Sequence, residues 1–431
     1  MTCIVRFCGQ EWPYGRWYWY NTSIMSNKKI WFMSLVAALG GFLFGFDTCV
    51  INGAEEQIKA CFNYSATMHG FVTSSALWGT VVGAIFGGWV SDRFGRKPTL
   101  CTIGAIYLVS ALWSALATGP WMLMAARLLG GLGVGVSTIA APVYIAEIAP
   151  AESRGKMTAA FQFNIVFGVM AALTSNLFLK DLGENAWRFM LGAQCVPAAL
   201  FVILAPFLVE SPSYLKMKRG ELAANAAAAT GFWSKANAFP IMIAFFVAFF
   251  NQMSGCNAVN YFAVRIFGMA GLGRDAQFLS TFGLGILNFA STFAGMWLID
   301  RLGRKTLLLI GGIGYVVSLF AAAAFFTVGN GPLSAATIFL FMASHAVGQG
   351  TVIWVLISES FPQKYRAQGQ ALGATTHWVF AAIITFLFPI AAERFAPATI
   401  FGFFGVMMVF HLLWVVFVVR ETKGRRLEEI A

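Results

Sequence analysis

Two ionisable residues stand within long apolar stretches of the sequence, where their charges could do chemistry. Asp47 follows the apolar run 40–46, and Arg127 is followed one and two helical turns later by Gly131 and Gly135. An unpaired charge inside a bilayer costs about 2.5–3.5 kcal/mol on insertion scales, so we expect both residues to be paired, protonated or functional. Two roles fit them: a static ion pair that joins two helices, or a switch that binds and releases a proton.

Amide and aromatic side chains recur in the other apolar stretches and are densest in residues 251–262. An amide donates and accepts hydrogen bonds at once, which matches the hydroxyl groups of a sugar. Phe44, Trp354 and Trp378 could cover the apolar C–H faces of a pyranose ring. Packing or interhelical hydrogen bonding explains each residue alone, and Gln162 is either such a residue or a ligand. The clustering of these residues favours a binding site for a neutral, polyhydroxylated molecule.

The polar stretch 251–262 also predicts a break in its helix. Ser254 and Asn257 would share one face of an unbroken helix, whereas Asn251 and Gln252 would point elsewhere. Amides that face lipid cannot satisfy their hydrogen bonds. We therefore predict that the helix unwinds near Ser254, as transporter helices do where substrate binds at the bilayer midplane.

The composition is that of an integral membrane protein. Only 11% of the residues are charged, 58% are hydrophobic, and the mean hydropathy is +0.72, whereas soluble domains are about 25% charged. Twelve apolar segments are each close to the ~20 residues that cross a bilayer. We predict an all-α fold with twelve transmembrane helices near residues 30–52, 67–90, 98–117, 121–146, 157–180, 187–209, 239–267, 277–299, 306–328, 334–358, 368–391 and 397–419.

Basic residues lie mainly on one side of these segments. Of the 29 Lys and Arg residues, 22 fall in the termini and in the loops on their side, and about six fall on the other side. This placement explains the net charge of +11 without a nucleic-acid partner, and the positive-inside rule puts both termini in the cytoplasm. We expect a multi-pass protein of the cell (inner or plasma) membrane. The seven cysteines contain no Cys-x-x-Cys pair, so we expect no metal site.

A repeated hexapeptide divides the chain into two related halves. Residues 92–97, Asp-Arg-Phe-Gly-Arg-Lys, return 208 positions later as residues 300–305, Asp-Arg-Leu-Gly-Arg-Lys. Such a duplication predicts two pseudo-repeated six-helix bundles. The predicted organisation is an N-terminal tail (1–29), a first bundle (30–209), a short cytoplasmic helical linker (210–238), a second bundle (239–419) and a cytoplasmic C-terminal tail (420–431).

These motifs resemble the sugar porters of the major facilitator superfamily. The resemblance covers about residues 30–424, and it rests on both hexapeptides and on the ordered motifs 127–135, 147–155, 210–212, 252–257, 354–362 and 421–424. It implies sugar contacts at Gln162, Gln252, Asn257, Asn288 and Trp354, with Gly350 nearby; further candidates are Asn251, Tyr261, His377, Trp378 and Phe44.

The resemblance also implies proton coupling and a gate. Asp47 matches the acid of the proton-coupled members, with Arg127 as its candidate partner, whereas passive facilitators usually have Asn there. Asn251 stands where the family commonly has Gln, and His377 stands where a proton-coupled member has Gln. The resemblance therefore does not specify the sugar. Charged residues of the loops are expected to lock the halves together at the cytoplasmic side when the chamber opens outward: Asp92, Arg93, Arg96, Glu147, Arg154, Glu210, Asp300, Arg301, Arg304, Glu359, Arg366 and Glu421.

The sequence thus predicts a secondary active transporter that imports a monosaccharide, a pentose or hexose, together with protons by alternating access. We expect it to work as a monomer in the lipid bilayer, with the proton as coupling ion and no cofactor. One alternative is a passive sugar uniporter. Another is a membrane sugar sensor, which would need a larger cytoplasmic signalling extension than the few residues after the last predicted span. We find no phosphate loop, nucleophile motif or metal-ligand spacing that would indicate an enzyme.

Overall fold

The structure is a computed structural model, and it describes residues 27–150, 153–219, 231–362 and 364–423. Long helices make up most of these ranges. In chain order they are α1 (Asn27–Phe62), α2 (Ala66–Phe94), α3 (Arg96–Ala115), α4 (Pro120–Ile148), α5 (Arg154–Leu179), α6 (Ala186–Ala193), α7 (Cys195–Leu204), α8 (Pro212–Lys218), α9 (Ala238–Met253), α10 (Cys256–Met269), α11 (Arg274–Leu302), α12 (Arg304–Val328), α13 (Gly331–Val347), α14 (Gln349–Ser360), α15 (Arg366–Arg394) and α16 (Pro397–Phe417).

Twelve stretches of the described chain are long and apolar enough to cross a membrane. Nine of them are single helices, and three are pairs of helices: α6 with α7, α9 with α10, and α13 with α14. The short helix α8 lies in the predicted linker, of which residues 220–230 fall outside the described ranges. The prediction of an all-α protein with twelve spans is confirmed.

Glycines interrupt two of the paired spans. The helix α9 ends at Met253, and Gly255 has φ +83° before α10 begins, a conformation that costs glycine little and other residues much. This confirms the break predicted near Ser254. Gly348 separates α13 from α14 with a different non-helical conformation, φ −86° and ψ −102°.

Two spans differ from their predicted limits. The sixth span lacks one backbone hydrogen bond between α6 and α7, because Pro197 has no N–H to donate to the carbonyl oxygen of Ala193, but the backbone at Gln194 stays helical, with φ −61° and ψ −22°. The first span continues to Phe62 instead of ending near residue 52. Its additional turns carry charged residues that looked like a loop in the sequence, but Lys59 has an ionic partner on another helix.

Glycines also set the closest helix crossings of the first half. A Cβ atom at Gly131 of α4 would lie 1.8 Å from the carbonyl oxygen of Ala76 in α2, and one at Gly45 of α1 would lie 1.9 Å from that of Ile165 in α5. Small residues allow helix backbones to approach this closely in membranes. The first half is therefore built on two tightly crossed pairs, α2 with α4 and α1 with α5.

The two halves are joined at one face of the bundle. We call the face with the two hexapeptide loops the hexapeptide face and the other the opposite face. Lys59 near the end of α1 pairs with Glu393 near the end of α15, and Lys180 after α5 pairs with Asp275 at the start of α11. The Asp275 carboxylate, together with that of Asp181, raises the pKa of the Lys180 ammonium. Both cross-half ion pairs lie at the opposite face.

The apolar cores follow the same division. The largest core is shared by the halves toward the opposite face, where it includes Ile58 of α1, Phe262 of α10 and Phe388 of α15. Each half has a separate core near the hexapeptide face, around Tyr144 in the first half and Phe361 in the second. The described apolar core is thus shared by the halves toward the opposite face and separate in each half near the hexapeptide face.

Candidate functional site

Asp47 of α1 and Arg127 of α4 form a buried ion pair. The Nη1 atom of Arg127 lies 2.6 Å from Oδ1 of Asp47, and its Nη2 atom donates to the Asp47 carbonyl oxygen at 2.9 Å. Only 2% of each side chain is exposed. A Cβ atom at Gly130, beside Arg127, would lie 3.6 Å from Asp47 Oδ1. The structure therefore brings together the two charges that the sequence left apart, on a small-residue face of α4.

Gln252 is the centre of an amide network at the break between α9 and α10. Its Nε2 atom donates to Asn251 Oδ1 at 2.9 Å and lies 3.1 Å from Nδ1 of His377 in α15. Its Oε1 atom accepts a hydrogen bond from Asn257 Nδ2 at 2.6 Å. Protein partners thus occupy both ends of the Gln252 amide. Because the helix is broken, Asn251, Gln252 and Asn257 meet although they would point apart on one continuous helix.

Aromatic rings extend this network toward the other half. The His377 ring lies 5.2 Å from the Trp354 ring of α14 and 4.7 Å from the Trp378 ring, measured between ring centroids. Trp378 in turn meets Phe44 of α1 edge to face at 5.5 Å. The amides therefore adjoin an aromatic wall that reaches Phe44, three residues from Asp47.

Among the described residues, the other predicted sugar contacts make no hydrogen bond to this network. Gln162 on α5 and Asn288 on α11 are half-buried, and each precedes a phenylalanine; the rings of those phenylalanines meet across the halves at 5.7 Å. Tyr261 is fully buried in α10. Gly350 packs closely against His345: a Cβ atom at position 350 would lie 3.1 Å from the His345 carbonyl oxygen.

The first hexapeptide builds a capped helix start at its face of the bundle. Gly95 has φ +101°, and a Cβ atom there would lie 2.4 Å from Glu210 Oε2. The Glu210 carboxylate accepts from the Arg96 backbone N–H at 2.9 Å, at the start of α3, where the helix dipole favours an anion. The Arg96 guanidinium pairs with Glu147 at 3.0 Å and with Asp92 at 2.9 Å.

The second hexapeptide repeats this arrangement around Gly303. Glu421 accepts from the Arg304 backbone N–H at 2.9 Å, and the Arg304 side chain pairs with Glu359 at 2.8 Å and with Asp300 at 3.4 Å. Burial acts to raise the pKa of Glu421, but four backbone N–H donors outweigh it and hold the pKa below its usual range. The Asp, Gly and Arg residues that recur in both hexapeptides thus have equivalent structural roles in the two halves.

Among the described residues, the ion pairs of Arg96 and Arg304 lie within their own half. Arg93 and Arg301 lie over tryptophan rings of their own helices. Arg366 is half-buried at the start of α15, and the side chain of Arg154 lies outside the described residues. Their role as a gate stays a prediction.

Comparison with known proteins identifies the family of the chain. Residues 33–231 and 224–431 match the family described as Sugar (and other) transporter. The chain belongs to this family. Curated relatives include the D-xylose-proton symporter of Escherichia coli K12, 30% identical over 94% of this chain and 96% of the relative. The arabinose-proton symporter of Bacillus subtilis is 32% identical over 95% of this chain and 97% of the relative.

The solved structures agree with this membership. The chain is similar to the inward open conformation of the E. coli xylose transporter XylE, with a TM-score of 0.83, 29% identity, and coverage of 93% of this chain and 99% of that chain. The chain is thus a sugar porter with the major facilitator fold and twelve spans. The resemblance drawn from its motifs is confirmed, and these relatives are transporters, not enzymes.

Sequence reasoning missed several polar residues of this sugar porter near the opposite face. Asn52 of α1 donates to the Asn260 carbonyl oxygen at 2.6 Å and accepts from the Val264 N–H at 3.0 Å, which ties α1 to α10. Glu55 and His69 form a fully buried pair. Glu55 could have been found as a polar residue of α1 had the predicted span not ended at Asn52, its last residue.

Proposed function

We propose that this protein imports a monosaccharide, a pentose or hexose, together with protons by alternating access. The observation that carries the proposal is the amide network around Gln252, which adjoins tryptophan rings and lies close to one acid–base pair, Asp47 and Arg127. Amides and aromatic faces suit a neutral, hydroxylated ring. The names of the relatives, which include xylose and arabinose symporters, support the same substrate class.

Sugar binding would replace hydrogen bonds that the amides of the network now make to one another and to His377. A sugar hydroxyl can replace His377 as the partner of Gln252 Nε2, and another can take the place of Gln252 on Asn257 Nδ2. Each exchange conserves hydrogen bonds, so the desolvation of the amides is compensated. Trp354 and Trp378 would cover the ring, and Gln162 and Asn288 would approach when the halves close.

Proton coupling would use the Asp47–Arg127 pair. The ionised carboxylate holds the guanidinium, which bridges to the Asp47 carbonyl oxygen as well. A proton on Asp47 removes the charge that binds Arg127 and leaves the two helices free to adjust, so that binding of a proton and rearrangement of the first half become linked. The two cross-half ion pairs at the opposite face support the view that this state opens toward the cytoplasm.

The experiment is uptake of labelled xylose, arabinose and glucose by purified protein in liposomes. An inward proton gradient should drive accumulation of at least one of these sugars. The Asp47→Asn variant should keep sugar exchange at equilibrium but lose accumulation. Accumulation that survives in Asp47→Asn would exclude Asp47 as the coupling acid, and equilibration without accumulation in the wild type would favour a passive uniporter. A sensor would bind sugar without transporting it.

We also propose a plasma-membrane location with both termini in the cytoplasm and activity as a monomer. The excess of basic residues at the hexapeptide face supports this orientation. Cys61 is exposed near the opposite face, so it should react with a membrane-impermeant maleimide in intact cells. Protection of Cys61 until the cells are permeabilised would reverse the orientation.

A further inference from the structure

A groove opens at the hexapeptide face of the second half, apart from the proposed sugar and proton sites. Its volume is about 560 Å³, which is large enough to hold a small ligand or the head of a larger one. The groove is lined by Phe239 at the start of α9, by Lys305 at the start of α12, and by residues 417–421 at the end of α16.

Two cationic side chains line this groove. The Arg420 guanidinium lies 5.1 Å from the centroid of the Phe239 ring, and Lys305 Nζ donates to the Val416 carbonyl oxygen at 3.0 Å. Among the described residues, neither cation has a carboxylate partner. A ring covers only one face of a guanidinium, and an ammonium has three donors. Both side chains therefore keep N–H groups that can bind an anion.

The carboxylate in the described lining, that of Glu421, is engaged by the backbone. It accepts hydrogen bonds from the N–H groups of Arg304 at 2.9 Å and Lys305 at 3.0 Å, where α12 begins. The N–H groups of Thr422 and Lys423 donate to it as well. Backbone donors and a helix start compensate a carboxylate without using side-chain cations. The positive charge of the two cations is thus available in the groove.

An exposed apolar strip of α16 leads into the groove. Val406, Phe410, Leu413 and Phe417 follow one another at helical spacing and are all exposed, and Phe417, which lines the groove, is 79% exposed. Because α16 is long and apolar enough to cross a membrane, this strip faces lipid. The groove and the strip together fit a molecule that has an anionic head and an apolar tail.

The repeat in the first half lacks the second cation. Lys97 and Val209 take the places of Lys305 and Arg420 there, and Val209 packs on the apolar core of its half. The helix start at the first hexapeptide is nevertheless capped by a glutamate in the same way. The cap therefore does not require an arginine before its glutamate, and Arg420 needs another explanation.

We propose that this groove binds the phosphate group of an anionic phospholipid in the leaflet at the hexapeptide face. Arg420 and Lys305 contact the phosphate, since charge-assisted hydrogen bonds from these side chains are strong, and an acyl chain lies along the exposed strip of α16. The site needs neither sugar nor proton, so it goes beyond the proposed function.

The test is a lipid titration of the purified protein in detergent, followed by native mass spectrometry. Phosphatidylglycerol should bind more tightly than phosphatidylcholine, because the ammonium group of phosphatidylcholine already compensates its phosphate. Inorganic phosphate at the same concentration should not displace phosphatidylglycerol, because a free anion makes no contact with the apolar strip.

Arg420→Gln and Lys305→Gln should each raise the Kd for phosphatidylglycerol roughly fivefold, the usual contribution of one basic residue at an anionic lipid surface. Lys97→Gln is the matched control from the first half and should leave the Kd unchanged. Arg420 is exposed, so its variant should fold. It decides the test if Lys305→Gln does not fold, since Lys305 also bonds to α16.

Four results would overturn the proposal. One is an equal Kd in the wild type and in Arg420→Gln, and another is an equal loss of affinity in Lys97→Gln. Displacement of the lipid by inorganic phosphate would indicate a site for free anions. Lipid binding by E428Q/E429Q but not by the wild type would assign the groove to the acidic C-terminal tail. Sugar uptake plays no part in this readout, so failure here and failure of symport are separate results.

Discussion

At the scale of single residues, Gln252 has more side-chain partners in the amide network than any of its neighbours. It contacts Asn251, Asn257 and His377 through one amide group, and two of these partners depend on the helix break for their position. Removal of this amide would therefore leave three polar groups short of a partner and would remove the donor and the acceptor that a sugar would use.

We predict that Gln252→Leu weakens sugar binding by about 1–3 kcal/mol, the usual range for a lost hydrogen-bonding group that leaves partners unsatisfied. The measurement is the Kd of the purified protein by titration calorimetry, with the sugar that shows uptake. Asn176→Leu is the control, because Asn176 is a buried amide that donates to the Val50 carbonyl oxygen and lies outside the network. Equal losses in both variants would argue against a binding role for Gln252.

The residues of the site could be found from sequence by type, but not by geometry. Asp47 and Arg127 were recognisable because charge is costly in an apolar segment, yet only the crossing of α1 and α4 shows that they touch. Asn251 and Gln252 looked misdirected on a helical wheel, because the left-handed turn at Gly255 changes the direction of the chain. His69 gave no signal, since its partner Glu55 lay beyond the predicted end of the first span.

At the scale of helices, close glycine crossings hold the first half together, whereas backbone breaks shape the second. The breaks at Gly255 and Gly348 were foreseeable from glycines beside polar residues. The lost hydrogen bond between α6 and α7 depends on Pro197, and a proline inside an apolar span does not reveal by itself whether the helix continues past it. Apolar length predicted the existence of each span, but it could not show how far α1 extends past the lipid.

We predict that Gly131→Ala destabilises the protein, because its new methyl group would meet the Ala76 carbonyl oxygen and force α2 away from α4. Overpacking of this kind typically costs about 1–3 kcal/mol. Thermal unfolding of the purified protein should show a lower Tm. Gly88→Ala on α2 is the control, since a Cβ atom there has nothing within 4 Å, and its Tm should equal or exceed that of the wild type. A Tm unchanged by Gly131→Ala would contradict the tight crossing.

At the scale of the whole molecule, the halves share one core and two ion pairs at the opposite face, while the described ion pairs of the hexapeptides stay within each half. In the outward-open state these contacts would exchange: the pair of Lys59 with Glu393 would separate, and the hexapeptide clusters would meet. A transport cycle of this kind moves the halves largely as rigid bodies.

We predict that a cross-link between cysteines at positions 59 and 393 stops transport. Lys59→Cys and Glu393→Cys place thiols where the native side chains already touch, so a short reducible bis-methanethiosulfonate reagent should join them in the closed state. Uptake by liposomes should fall to background after cross-linking and recover after reduction. Each single-cysteine variant treated in the same way is the control, and undiminished uptake in the cross-linked protein would contradict alternating access.

The glycines at the helix crossings have a further consequence for mutational scanning. A library scored only by growth on a sugar would rank Gly45 and Gly131 beside Gln252 and Asp47, because each crossing glycine faces a backbone oxygen less than 2 Å from any added methyl group. A second score for the amount of folded protein, such as fluorescence of a C-terminal fusion, would divide the intolerant positions into two sets. Variants that are abundant but inactive would outline the path of the sugar and the proton, and variants that are scarce would outline the scaffold.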